Sequence, residues 1–442
     1  MLNDKTTFKD LSIFPSEGSG GIIGLIDRTT TDKGREVLYD FVSHPPDTYD
    51  GLVAMQEAVR YWRDNQNKWP TIITNGTLVM LDKYFEASDG YTHPPSGVTL
   101  FFGDFWQKLF NKGEYFFTQF SISHVSDILK GGRQLLELLQ DKGLPILLRT
   151  LLEDIQSKLD HRLTADLLTV NSDTPYREHA KYSFYVRREM KSNILGMMKI
   201  YAKLDAIQSL GRATGEHGWA FPELKHSLPV CFKAKGLFHP LLKDAKPYDI
   251  EFTEDRNFLI LTGANMSGKT TFMRSIGVAA LLAHIGMGVP ASNLEVSFMD
   301  GIVTNMHVED DLLKGESYFY AEVKRMKMTA GRLQKNEPHL VLMDELFKGT
   351  NVHDAYECTA AVIEGLLNQS SHLMVLSTHL YEVAKKFADR KEVQFAYFVT
   401  ETGSDEDYYF DYKLKEGISN DRIGYKILQR EGVLQLLNRT DK

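Results

Sequence analysis

The 442-residue sequence predicts two folded parts, a mostly α-helical first half and an α/β second half built on a parallel sheet. Two patterns carry this expectation. Up to about Pro229, apolar residues recur at three- and four-residue steps, the spacing of one helix face. Beyond it the chain changes to short apolar runs, each closed by a polar or glycine-rich turn and followed by a helical pattern. With 43% apolar residues the chain has material for two buried cores. The expected domains are residues 1–230, helical, and 231–442, α/β.

In the first part, Val186, Met190, Ile194, Met197, Tyr201, Leu204 and Ile207 form one stripe of a long helix. A second helix runs through Gln134 to Leu152, broken near Gly143 and Pro145, and Asp173 to Pro175 reads as a turn. Core packing accounts for both stripes. The segment Arg177 to Lys203 carries seven basic residues against two acidic ones (Glu178 and Glu189) and is the local candidate for a nucleic-acid contact. The competing reading is a solvated helix face. A local patch is needed because the net charge is −8, which gives the whole chain no attraction to a polyanion.

Only two cysteines occur, Cys231 and Cys358, which supports neither a disulfide framework nor a cysteine zinc site and fits a reducing cytoplasm. The start lacks an apolar secretory core, and the most apolar run, Ile276 to Pro290, is too short for a membrane span, so the expectation is a cytoplasmic protein without a membrane partner.

In the second part, Phe258 to Leu261, Leu340 to Met343 and Leu373 to Leu376 read as buried strands with a polar motif at each carboxyl end, where α/β sheets place their sites. After the first strand, Gly263-Ala264-Asn265-Met266-Ser267-Gly268-Lys269-Thr270 fits G-x-x-x-x-G-K-[ST] and opens an apolar helix. In such a loop the glycines let backbone N–H groups turn inward around phosphates, and the helix N-terminus adds positive potential. Lys269 is expected to reach the outer phosphates of ATP, Thr270 to bind Mg²⁺, and Thr271 to complete the cradle. After the second strand, Asp344 is expected to hold the metal through water, and Glu345 to orient or deprotonate the attacking water. The third strand ends in Ser377-Thr378-His379, where His379 could report the γ-phosphate.

These segments together resemble the MutS family of DNA mismatch-repair ATPases. TGANMSGKTTFMRSIG is similar to that family's TGPNMGGKST, and IGMGVPA, DDLLKGESYFYAE, LVLMDELFKGTNVHDA and STHLYEVA follow in the family order. EGISNDRIGYKILQREGV resembles the terminal helix-turn-helix that helps the ATPases dimerise. Gly24-Leu25-Ile26-Asp27-Arg28-Thr29 with Gly34-Arg35, then His44-Pro45, resembles the start of the family's helical core, and Leu204 to Arg212 its junction into the ATPase.

The resemblance implies a P-loop NTPase domain of the ABC type, the family's domain V, behind a helical core or lever domain. It implies a Mg²⁺-dependent ATPase acting as a homodimer, with DNA and other repair proteins as partners. Ser317 corresponds to the signature serine that reaches the nucleotide of the opposite subunit. Phe238-His239-Pro240 resembles the family's Arg-His-Pro element, and Tyr248 replaces an aromatic residue that stacks on adenine; His239 and Tyr248 are thus candidate nucleotide contacts.

The sequence departs from the family at Ser267, where glycine is usual, at Thr270, where serine is usual, and at Phe347-Lys348, where Gly-Arg is common. None of these removes a catalytic group. The chain opens directly in the helical core, so the expectation is a protein without the mismatch-reading and connector domains. Phe221-Pro222-Glu223 and Phe252-Thr253-Glu254 spell the family's Phe-x-Glu wedge, but both lie at the entrance to the second part and are rejected as readers. The function expected is an ATP-driven DNA clamp that reads mismatches poorly by itself; the alternative is a nucleotide-switched scaffold that does not touch DNA.

Overall fold

The computed structural model describes residues 3–15, 20–87, 112–171, 173–264, 267–306, 317–335, 337–402, 408–419, 433 and 436. It divides into two compact units, one of residues 26–42 and 54–217, the other of residues 1–25, 43–53 and 218–442. A single break near residue 230 therefore does not describe the chain. The change of unit comes at His217/Gly218, where the long helix ends and Gly218 turns the backbone at φ 65°. Both the first 25 residues and residues 43–53 group with the carboxyl-terminal ones.

In chain order the first helices are α1 (Lys5–Asp10), α2 (Gly21–Ile26), α3 (Asp32–Ser43), α4 (Tyr49–Asp64) and α5 (Asn75–Glu86). Next come α6 (Lys112–Leu136), α7 (Ile146–Leu159), α8 (Thr164–Leu168), α9 (Tyr176–Tyr185) and α10 (Lys191–His217). One π-turn, Val186–Met190, joins α9 to α10. The expected stripe lies on this element, and Val186, Met190, Ile194, Met197, Tyr201, Leu204 and Ile207 are all buried. Between α6 and α7 the chain passes through a short 3-10 turn, Glu137–Gln140, and leaves helical geometry at Gly143 and Pro145.

A buried carboxylate organises the start of this helical unit. Asp205 on α10 accepts from the backbone N–H groups of Thr30 (2.9 Å) and Thr31 (2.9 Å) and from both hydroxyls, so it satisfies donors ahead of α3 that the helix cannot. A Cβ on Gly34 would overlap this carboxylate, which accounts for glycine in that turn. Asp27 accepts from Thr29 and Arg35, and its carboxyl is held below the usual range: burial pushes it up, but those hydrogen bonds outweigh burial. The motif from Asp27 to Arg35 is thus a structural clasp.

Three residues of the basic stretch, Arg187, Arg188 and Lys191, make contacts within their own unit, whereas Arg177, Lys181, Lys199 and Lys203 are exposed. Arg187 donates to Ala87 O (2.9 Å) and Lys191 to Phe85 O (3.4 Å), both carbonyls at the end of α5. The guanidinium of Arg187 lies 4.0 Å from the Tyr84 ring centre, and that of Arg188 lies 3.7 Å from the Phe184 centre.

The other unit holds two sheets. β1 (Glu223–Lys225), β2 (Phe232–Leu237), β3 (Tyr248–Phe252) and β5 (Asn293–Ser297) form a mixed sheet in the order β1-β5-β2-β3. β4 (Phe258–Thr262), β6 (Gly301–Asn305), β7 (His339–Asp344), β8 (Leu373–Ser377), β9 (Val393–Thr402) and β10 (Tyr408–Glu416) form the second, in the order β10-β9-β4-β8-β7-β6. It is parallel except for β10. Its connecting helices are α11 (Lys269–His284), α12 (Tyr318–Leu333), α13 (Val352–Leu366) and α14 (Tyr381–Lys386). Strands β4, β6 and β8 are buried at every residue, as strands covered on both faces must be.

Edge strand β6 is covered by the amino-terminal segment, which explains why those residues belong to this unit. Asn3 Oδ1 accepts from Ile302 N, Thr7 Oγ1 donates to Ile302 O, and Asp10 Oδ2 accepts from Thr304 Oγ1 and Met306 N. Asp4 pairs with Arg325 (2.7 Å) and Arg332 (3.3 Å) on α12. No helix among the described residues is long and apolar enough to cross a membrane.

Candidate functional site

Three neighbouring parallel strands, β4, β8 and β7, bring their carboxyl ends to one edge of the sheet. From β4 the chain turns sharply at Gly263 (φ 131°) and again at Gly268 (φ 108°), conformations that favour glycine. Gly268 then opens α11 with no side-chain cap among the described residues, so the first N–H groups of a 16-residue helix point into the loop without a side-chain acceptor there. Asn265 and Met266 of the loop lie outside the described residues.

Lys269, at the start of α11, is buried, and its ammonium donates to Gly263 O (2.9 Å) and Ala264 O (2.8 Å). Burial lowers its pKa below the usual lysine range, against the opposing pull of the Glu345 and Asp344 carboxylates. Thr270 donates from Oγ1 to Asp344 Oδ2 at 2.7 Å, and Ser377 Oγ donates to Asp344 Oδ1 at 2.6 Å. Ends of three elements thus converge on one carboxylate. Thr271 follows in the first turn of α11, where its carbonyl accepts from Ser275.

Glu345 takes a left-handed backbone (φ 51°), and its N–H donates to Ser377 O at 2.9 Å, tying it to β8. Its Oε2 lies 3.0 Å from Lys348 Nζ and 3.8 Å from His379 Nδ1. Burial would lower the Lys348 pKa, but the bond to Glu345 and the nearby Asp344 charge raise it. His379 is largely exposed at the mouth of the site. Phe347, at φ 60°, holds a conformation that suits glycine better, and its buried ring packs 5.9 Å from Phe319.

The structure therefore brings Lys269, Thr270, Asp344, Glu345 and His379 together. Ser317 sits apart from them, as the N-cap of α12, with Oγ accepting from Tyr320 N at 3.3 Å. Asp310 to Glu316, ahead of it, lie outside the described residues, as do residues 420–432 of the expected terminal helix-turn-helix. His239 is buried after β2; its Nδ1 accepts from Leu241 N, and its Nε2 has no hydrogen-bond partner among the described residues. Burial, aided by the charge of Arg274, pushes its pKa down to about 4. Tyr248 is buried at the start of β3, with Phe272 and Phe398 edge-on at 5.1 and 5.7 Å, and burial raises its pKa to about 12.

Sequence reasoning did not foresee the part played by Ser377, Lys348 or Glu322. The first was visible in Ser377-Thr378-His379 as a polar strand end, and Lys348 only as a departure from a family pattern. Glu322 gave no local signal, because its partners, Lys348 N and Gly349 N, are 26 and 27 residues away.

The fold and site define an α/β domain whose polar loops gather at the carboxyl edge of a mainly parallel sheet. Residues 259–438 match the family model of MutS domain V. It is 31% identical over 238 residues to the DNA mismatch repair protein msh3 of Aspergillus fumigatus, covering 51% of this chain and 21% of that protein. It is 30% identical to the DNA mismatch repair protein MutS of Persephonella marina (52% of this chain, 26% of the relative). With the MutS of Halalkalibacterium halodurans it shares 27% identity (56% and 29%). The matched regions span less than a third of each of these relatives.

Proposed function

We propose that this chain binds ATP at the loop from Gly263 to Thr271 and hydrolyses it to ADP and phosphate. The carrying observation is the convergence of Thr270 and Ser377 on Asp344, with Lys269 and Glu345 beside it. The loop fits a phosphate chain: it has two left-handed glycines, an uncapped helix N-terminus and a buried Ser267 Oγ without a partner among the described residues. On binding, Lys269 exchanges two loop carbonyls for phosphate oxygens, which replaces neutral acceptors with charged ones. Thr270 and Asp344 would hold Mg²⁺, which when bound would neutralise charge developing on the phosphates. Glu345 orients a water for attack on the γ-phosphorus and takes its proton as the bond to the ADP oxygen breaks. His379, whose ring lies 3.8 Å from Glu345, would sense the γ-phosphate.

The test is direct. Lys269→Ala should lose most affinity for a fluorescent ATP analogue, whereas Glu345→Gln should bind it and fail to turn over. Wild-type affinity in the first or wild-type turnover in the second removes the assignment.

The names of the relatives, together with the match to MutS domain V, support a wider reading: a MutS-type homodimer in the cytoplasm that switches as a clamp on branched or altered DNA and meets other repair proteins there. In this reading the helical unit supplies the core and lever, and the sheet-bearing unit the ATPase and dimerisation segment, with Ser317 completing the partner's site. His239 and Tyr248 contribute to the nucleotide pocket from the β2–β3 region. Mismatch reading by this chain alone is expected to be poor; a reproducible tenfold preference for mismatched over matched duplex would overturn that. A second reading is a scaffold that does not bind DNA, supported by the net charge of −8 and by the contacts that Arg187, Arg188 and Lys191 make within their own unit. DNA affinity that falls steeply with salt supports the clamp; affinity absent at low salt supports the scaffold.

A further inference from the structure

The loop after β7 is held by a side chain that the nucleotide reading does not use. Glu322, on α12, is 4% exposed. Its Oε1 accepts from Lys348 N and its Oε2 from Gly349 N, both at 3.1 Å, so both carboxylate oxygens are spent on the backbone of a single turn. Contact there is close. A Cβ on Gly349 would lie 2.7 Å from Phe319 N and 2.7 Å from Tyr318 Cδ1, so the loop rests directly on the first turn of α12. Lys348, fixed at its backbone by Glu322, extends its ammonium to Glu345 at 3.0 Å. The helix carrying Glu322 is the one capped by Ser317.

We propose that Glu322 is a positioning residue for Glu345, acting through the backbone of Lys348 and Gly349; this rests on the hydrolytic reading above. The left-handed backbone of both Glu345 and Phe347 is a conformation that side chains resist, so this turn needs an external hold. Glu322 supplies it from the sheet's flanking helix. Because Ser317 caps the same helix five residues before Glu322, a displacement of the α12 N-terminus reaches the Lys348–Glu345 pair through a short stretch of helix. Placement of the water-activating carboxylate therefore depends on the state of α12.

The experiment uses the intact chain, steady-state ATP hydrolysis and equilibrium binding of a fluorescent ATP analogue, for wild type, Glu345→Gln, Glu322→Ala and Glu322→Gln. Glu345→Gln tests the underlying reading: turnover at the wild-type rate there refutes hydrolysis by this site, whatever Glu322 does. With Glu345→Gln inactive, Glu322→Ala is expected to lower kcat by about tenfold or more while nucleotide affinity stays within roughly twofold. Glu322→Gln keeps one acceptor oxygen and should fall between wild type and alanine, which a general loss of packing would not produce. If Glu322→Ala does not fold, the glutamine variant decides by the same split between kcat and affinity. Unchanged kcat in the variant that decides, or equal loss of turnover and affinity, overturns the proposal.

Discussion

The Asp4 carboxylate offers a quantitative test of how the amino-terminal segment is bound to the sheet-bearing unit. Burial alone would raise its pKa, but the Arg325 bond, the Thr7 N–H and the Arg325 charge together bring it down to about 2 from 3.8. A folded-state value below the unfolded one means that ionised Asp4 stabilises the fold above pH 3.8, and that this stability is lost as pH falls through about 2. The full shift corresponds to roughly 2.4 kcal/mol at about 1.36 kcal/mol per unit. Asp4 and Arg332 both retain some solvent contact, 20% and 31% exposed, so screening reduces the expected contribution to about 1–2 kcal/mol. Asp4→Asn keeps an oxygen for the Thr7 N–H and removes the charge. In urea denaturation at pH 7 the variant should be less stable by about 1–2 kcal/mol, and by pH 3 the difference should shrink to roughly half. A difference that is the same at both pH values would show that the loss is of packing and that the ion pair contributes nothing. No difference at pH 7 would refute the role of Asp4 in holding α1 to α12.

Three further outcomes follow from particular contacts. His284 is fully buried, its Nε2 accepts from Met299 N at 2.9 Å, and burial brings its pKa down to about 4, so it folds neutral. Its share of stability is present above pH 6.5 and lost as pH falls towards 4; His284→Gln should flatten the stability–pH slope in that window, and an unchanged slope would refute it. Gly34→Ala should destabilise the helical unit by about 1–3 kcal/mol, since the new methyl overlaps Asp205, and a melting temperature equal to wild type would refute the clasp. Mixing Lys269→Ala with Ser317→Ala chains should restore hydrolysis above the sum of the two, because some heterodimers pair an intact lysine with an intact serine. If only the sum appears while subunit exchange is confirmed, Ser317 does not act across an interface.

The helical stripes, the buried strands and the chemistry at their ends could all be read from sequence, because each depends on neighbours a few residues apart. Periodicity placed Val186 to Ile207 on one helix face, and a glycine loop after an apolar strand announced Lys269 and Thr270. The tertiary structure decided what depends on contacts between distant residues. It assigned Met1–Leu25 to the sheet-bearing unit, because Asn3, Thr7 and Asp10 bond to edge strand β6 nearly 300 residues away. It set the side chains of Arg187 and Lys191 against the end of α5, which composition cannot foretell, since charge says nothing of where a side chain points. It also joined Ser377 to Asp344 and Glu322 to the turn behind Glu345, since strand order and helix packing, and no local spacing, bring those atoms within hydrogen-bond reach.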